Sequence, residues 1–97
     1  MKDEKIQLTH PDGKKLPRID KRKFDIMRKG ILSSLKKGPL THKEMLQNIL
    51  LDFHTNKTNF EGAVEWYMEG VKLDLEATGQ IERLNEKPPH QWKLMKK

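Results

Sequence analysis

Gly38 and Pro39 stand in succession between two amphipathic stretches, and that break constrains the chain more than any other feature. Glycine takes the left-handed conformation that closes a helix, and proline cannot continue the hydrogen-bond ladder. Upstream, Phe24, Met27, Ile31 and Leu35 recur at three- and four-residue steps, which predicts a helix capped at Asp20 and running to about Lys37. Its opposite face is polar and cationic, with Lys21, Arg22, Lys29 and Lys36. Downstream, Thr41 and Glu44 have the spacing of a reciprocal cap, and Met45, Leu46, Ile49, Leu50 and Phe53 follow as an apolar stripe. A second helix over about 41–54 is expected.

The same Thr-x-x-Glu spacing recurs at Thr58-Asn59-Phe60-Glu61 and predicts a third helix to about Thr78, closed by Gly79. Phe60, Ala63, Val64, Tyr67, Met68, Val71 and Leu75 would face inward. The two ends of the chain read as extended. Ile6–His10 alternates apolar and polar residues, Pro11-Asp12-Gly13 is a turn, and Lys14–Ile19 alternates weakly. Pro17 lacks an N–H, so this arm, residues 1–19, belongs at an edge or over a helix. Residues 80–84 and 91–95 form a second strand pair around the polar, proline-containing segment 85–90. The expected fold class is α+β, mainly helical with a small hairpin, as one unit: the arm and a 20–97 domain.

Ninety-seven residues, 34% hydrophobic and 35% charged, suffice for one small core and exclude separate cofactor and substrate domains. Without cysteine there is no disulfide, thiolate metal site or thiol nucleophile, which suits a reducing, cytoplasmic setting. No apolar run is long enough for a membrane span or signal peptide. His10, His42, His54 and His90 fall in four separate segments without a His-x-x-x-His pair, which argues against a zinc site. Ser33 and Ser34 lie in a helix with no nucleophile elbow, and no glycine-rich phosphate loop is present. The expectation is a non-enzymatic protein with no cofactor.

The charges are segregated. The net charge of +6 divides into +7 over residues 1–37, zero over 38–58, −4 over 59–79 and +3 over 80–97. Lys14, Lys15 and Arg18 in the arm, Lys21, Arg22 and Lys29 on the first helix, and Arg83, Lys87 and Lys93 in the terminal hairpin could follow a phosphate backbone with little base discrimination. Equally, they could be a solvated, solubilising surface.

Helix, short stretch around Leu40, helix, turn, helix, glycine and terminal hairpin is an order that resembles a winged helix-turn-helix domain over about residues 20–95. Its most specific stretch is Val71–Arg83, where a third helix passes into a first wing strand. The His10–Lys15 turn, the Pro17–Lys21 lead-in and Glu65-Trp66-Tyr67 make the chain similar to a family of small, uncharacterised bacterial proteins. That resemblance implies a third helix in the major groove of duplex DNA and a wing on the neighbouring backbone or minor groove.

The third helix departs from that chemistry. It carries Glu61, Glu65, Glu69, Asp74 and Glu76 against Lys72 alone, and phosphates repel such a face. Only Lys72, Thr78 and Gln80 suit outward base contacts. The glutamates could pair with cations of the first helix or arm, or dock a basic protein or the cationic arm of another copy. Trp66, grouped with Gly70, Leu73 and Ala77, could be covered by the arm, the wing or the first helix, or mark a homodimer seam near Gly70. Trp92 is expected to anchor the wing. Two functions follow: a low-specificity DNA-binding or regulatory module using the basic arm and wing, or a protein-interaction or self-association module docking through the acidic third helix.

Overall fold

A computed structural model describes residues 4–58, 60, 62–84 and 89–95. The order is β1 (Lys5–Thr9), β2 (Lys15–Asp20), α1 (Lys21–Ser34), a 3-10 turn (Leu35–Lys37), β3 (Leu40–Thr41), α2 (His42–Thr55), α3 (Val64–Ala77), β4 (Ile81–Leu84) and β5 (Gln91–Leu94). The fold is α+β, with three helices and two small antiparallel sheets.

β1 and β2 form the first sheet, with a register irregularity between Gln7 and Thr9. The second has the order β3-β5-β4. The sequence predicted only a terminal hairpin. Leu40 and Thr41 add a third strand by pairing with Trp92 and Gln91, which ties the α1–α2 connection to the chain's last strand. One core unites both sheets: Leu8 and Ile19 from the first sheet join Met27, Ile31, Leu35, Met45, Ile49, Phe53, Met68, Val71, Leu75, Ile81 and Trp92.

Thr41 caps α2 as its spacing predicts: its hydroxyl accepts from the Glu44 N–H, and the Glu44 carboxylate accepts from the Thr41 N–H at 2.9 Å. α1 differs from the expectation at both ends. Asp20 occupies the N-cap position but its side chain makes no cap bond, because β2 runs straight into the helix and the Lys21 N–H donates to the Glu4 carbonyl. The regular helix stops at Ser34 and tightens into the 3-10 turn before Gly38. Leu50, expected in the apolar stripe of α2, is 46% exposed.

α3 corrects the largest expectation. It starts at Val64, not at the Thr58-x-x-Glu61 spacing, and its N-cap residue Ala63 is exposed. Gly62 has φ +105, a left-handed conformation that no helix contains, so the repeat spacing precedes a turn. Glu61 lies outside the described residues. Phe60, ahead of the helix, stacks on Phe53 at 5.4 Å and meets Tyr67 edge-on at 5.3 Å. Those aromatic contacts consolidate the α2–α3 connection.

Candidate nucleic-acid interface and the exposed face of the third helix

α3 is enclosed on two flanks. At about 100° per residue, Gly70 and Asp74 lie on one flank and Lys72 and Glu76 on nearly the opposite one. The first sheet covers the former pair: a Cβ on Gly70 would come within 2.9 Å of Leu8 Cδ1, and Asp74, 6% exposed, accepts from the Thr9 N–H at 2.8 Å. The second sheet covers the latter: Trp92 Nε1 donates to Glu76 at 3.0 Å, and Lys72 Nζ sits 3.8 Å from the Trp92 ring centre. Trp92 therefore anchors the sheet rather than presenting a stacking face to solvent.

Lys72 was expected to point outward. It is 2% exposed instead. Its ammonium lies over the Trp92 ring, a cation–π arrangement, and bonds His42 Nδ1 at 2.9 Å and Glu69 at 3.3 Å. Burial pushes its pKa below the ordinary lysine value, opposed by the Glu69 charge. His42 Nε2 lies 3.1 Å from Glu65. A charged Lys72 can only donate, so Nδ1 accepts and Nε2–H donates to Glu65.

The glutamates therefore pair within the fold, but not with α1 or the arm. Glu65 is held by His42, the first residue of α2, and Glu69 by Lys72. Sequence reasoning missed His42 and Asp74 as organising residues. Nothing local to Lys72 marks it for burial: its meeting with His42 depends on the α2–α3 packing.

Trp66 is 53% exposed, not covered by the first helix, the wing or the arm. Its ring meets Tyr67 edge-on at 4.9 Å and borders an apolar slot of about 120 Å³, lined by Leu8, Leu16, Pro17, Ile19, Tyr67, Gly70 and Leu73. Glu69 stands at the same slot. The outward arc of α3 is thus Glu65, Glu69 and Trp66, without an exposed cation.

The predicted phosphate-contacting cations divide by partner. Lys21 bonds Asp25 at 2.8 Å, which raises its pKa, and Lys93 faces Glu82 at 3.8 Å. Among the described residues, Lys14, Lys15, Arg18, Arg22, Lys29 and Arg83 are exposed without a carboxylate partner. Lys87 lies outside the described residues. Helical spacing gathers Lys21, Arg22, Arg28 and Lys29 on one outward arc of α1, with Asp25 its only acid. Arg28 Nε donates to Gln80 at 2.9 Å and so links that arc to the root of β4.

A groove of about 460 Å³ between the C-terminal ends of α1 and α2 is lined by Ser33, Ser34, Asn48, Asp52, Thr55 and Asn56, with Asp52 already bonded to Asn56 at 2.8 Å. Among the described residues no three His, Cys, Asp or Glu side chains converge as a metal site, and no helix is long and apolar enough to cross a membrane.

The class this architecture defines is a small α+β domain in which a largely enclosed third helix separates two β-sheets. DUF6958, a family of unknown function, matches residues 5–92, and the chain belongs to it. No curated protein and no solved structure matches the chain.

Proposed function

We propose that this protein is a non-enzymatic, winged-helix-like module that binds duplex DNA through its backbone with little sequence preference, and that α1 rather than α3 faces the phosphates. The winged-helix reading is supported by the order α1, β3, α2, α3, β4, β5 and by the closure of β3 onto β5. The observation that carries the DNA reading is the opposition of two helix surfaces. α1 presents Lys21, Arg22, Arg28 and Lys29 on one arc, whereas the outward arc of α3 presents Glu65, Glu69 and Trp66. Phosphate attracts the first and repels the second. Exposed Arg83 on β4 and Lys14 in the arm would extend the cationic set.

Binding of this kind releases counterions, so affinity falls linearly with salt on logarithmic axes, by a slope of about −0.9 per phosphate contacted. Titrating random-sequence duplex across salt concentrations should give a slope of about −3 to −4 if four cations engage. Arg22→Glu with Lys29→Glu should lower that slope by about two and remove most of the affinity. An unchanged slope in this variant, or no binding by the wild-type chain at low salt, refutes the reading.

A further inference from the structure

We infer that His42 is a pH-sensitive latch between α2 and α3: on gaining a proton it releases Lys72 and takes Glu69 instead, and the change reaches the second sheet through Trp92. The geometry holds a partner for each state of the ring. In the neutral ring, Nδ1 accepts from the Lys72 ammonium at 2.9 Å and Nε2–H donates to Glu65 at 3.1 Å. A protonated ring has only donors, so Nδ1 can no longer receive Lys72, and two cations would face each other at that distance. Glu69 resolves the conflict. Its Oε2 already lies 3.7 Å from Nδ1 and its Oε1 3.3 Å from the Lys72 ammonium, one oxygen for each cation.

The His42 side chain is 28% exposed and exchanges protons with water, whereas Lys72 is buried. Histidine is the side chain that ordinarily changes charge between about pH 5 and 8. From α3, Glu65 and Glu69 favour the charged ring and Lys72 opposes it. So does the ring's own place at the start of α2, where the helix dipole is positive. Around Lys72 stand Glu76 of α3 and Arg83 of β4, charges of opposite sign. The Lys72 ammonium lies 3.8 Å from the Trp92 ring centre, and the Trp92 Nε1–H bonds Glu76 at 3.0 Å. A shift of the ammonium from His42 toward Glu69 therefore alters the field at the indole. Arg22 and Lys29 of α1 take no part, so the inference stands apart from the DNA reading and is tested with different residues.

NMR of the full chain, titrated from about pH 8 to about pH 5, tests this through the ring nitrogens of His42 and the indole N–H of Trp92. His90 lies 6.2 Å from the Trp92 ring, so the titration is made in His90→Gln. At the alkaline end His42 should carry its proton on Nε2, and on acidification the Trp92 resonance should shift with the midpoint of the His42 ring. His42→Gln, in the same background, should abolish that shift. Lys72→Met should leave His42 titrating while Trp92 no longer follows. Glu69→Gln should weaken proton binding at His42 by about tenfold. A Trp92 resonance that stays flat through the His42 titration overturns the inference. So does a shift that survives His42→Gln or Lys72→Met, a ring protonated on Nδ1 at the alkaline end, or a proton affinity that Glu69→Gln leaves unchanged.

Discussion

Two short β-sheets flank the same helix, and they are attached by different physics. The C-terminal sheet has three strands, and its backbone ladder runs through β5 to Leu40 and Thr41 at the α1–α2 connection. Its side-chain anchor is Trp92, buried, bonded to Glu76 and capped by the Lys72 ammonium. The N-terminal sheet has two strands, an arrangement marginal by itself in water. It is held by Leu8 and Ile19 in the core and by one bond from the Thr9 N–H to the Asp74 carboxylate. Few anchors make a less stable unit, so the N-terminal sheet should open locally before the rest of the fold. The sheet built into the fold by its backbone supplies rigidity, and the sheet resting on α3 forms the wall of the slot.

The largest break in this comparison should come from Trp92→Ala, which removes a buried aromatic ring that both Glu76 and Lys72 contact. About 3–5 kcal/mol of stability should be lost, seen as a lower midpoint in urea unfolding with all probes moving together. Leu8→Ala should cost about 2–3 kcal/mol, near the lower end for buried leucine because the slot beside it is already open. Asp74→Ala leaves the Thr9 N–H without its acceptor and should cost about 1–3 kcal/mol. Amide exchange should localise that loss: Thr9 and its β1 neighbours exchange faster, while Trp92 and Leu94 keep their protection.

The smallest effect sharpens the comparison by pH. The Lys72 ammonium loses its proton at lower pH in the folded chain than in the unfolded one, chiefly because it is desolvated. Between those two values the unfolded chain binds the extra proton, so stability from this group rises with pH on the alkaline side. Lys21, raised by its bond to Asp25, contributes in the opposite sense: its stabilisation is lost as pH climbs through its folded value. Comparing Lys72→Met with wild type isolates the first effect. The variant should lie within about 1 kcal/mol of wild type at neutral pH, since an apolar side chain of similar length replaces a buried charge. Its alkaline rise in stability should be smaller than that of wild type.

Much of the scaffold could be read from local rules. The Gly38-Pro39 break, the Thr41 cap and the stripe Met45, Ile49, Phe53 act within a few residues, so spacing alone located α2. Both strand pairs were legible from alternation around turn residues. What escaped depended on distant contacts. The Thr58-x-x-Glu61 spacing matched a cap, but Gly62 turns the chain and the aromatic contacts of Phe60 set where α3 begins. β3 is two residues long and has no pattern of its own; it exists because β5 lies beside it. In the candidate site, segregation of sign was visible in the sequence, yet the destination of each charge was not. Lys72 went inward because Trp92 and His42 receive it there, and Trp66 stayed outward because the first sheet covers Gly70 and stops short of the indole.

The central claim is that α1, not α3, is the phosphate-facing helix. Fluorescence anisotropy with a labelled random duplex at low salt tests it through two paired variants. Arg22→Glu with Lys29→Glu should weaken binding by tenfold or more, while Glu65→Gln with Glu69→Gln should leave it within about twofold. If neutralising the two glutamates tightens binding tenfold and reversing the two α1 cations changes nothing, α3 enters the groove and the account is contradicted.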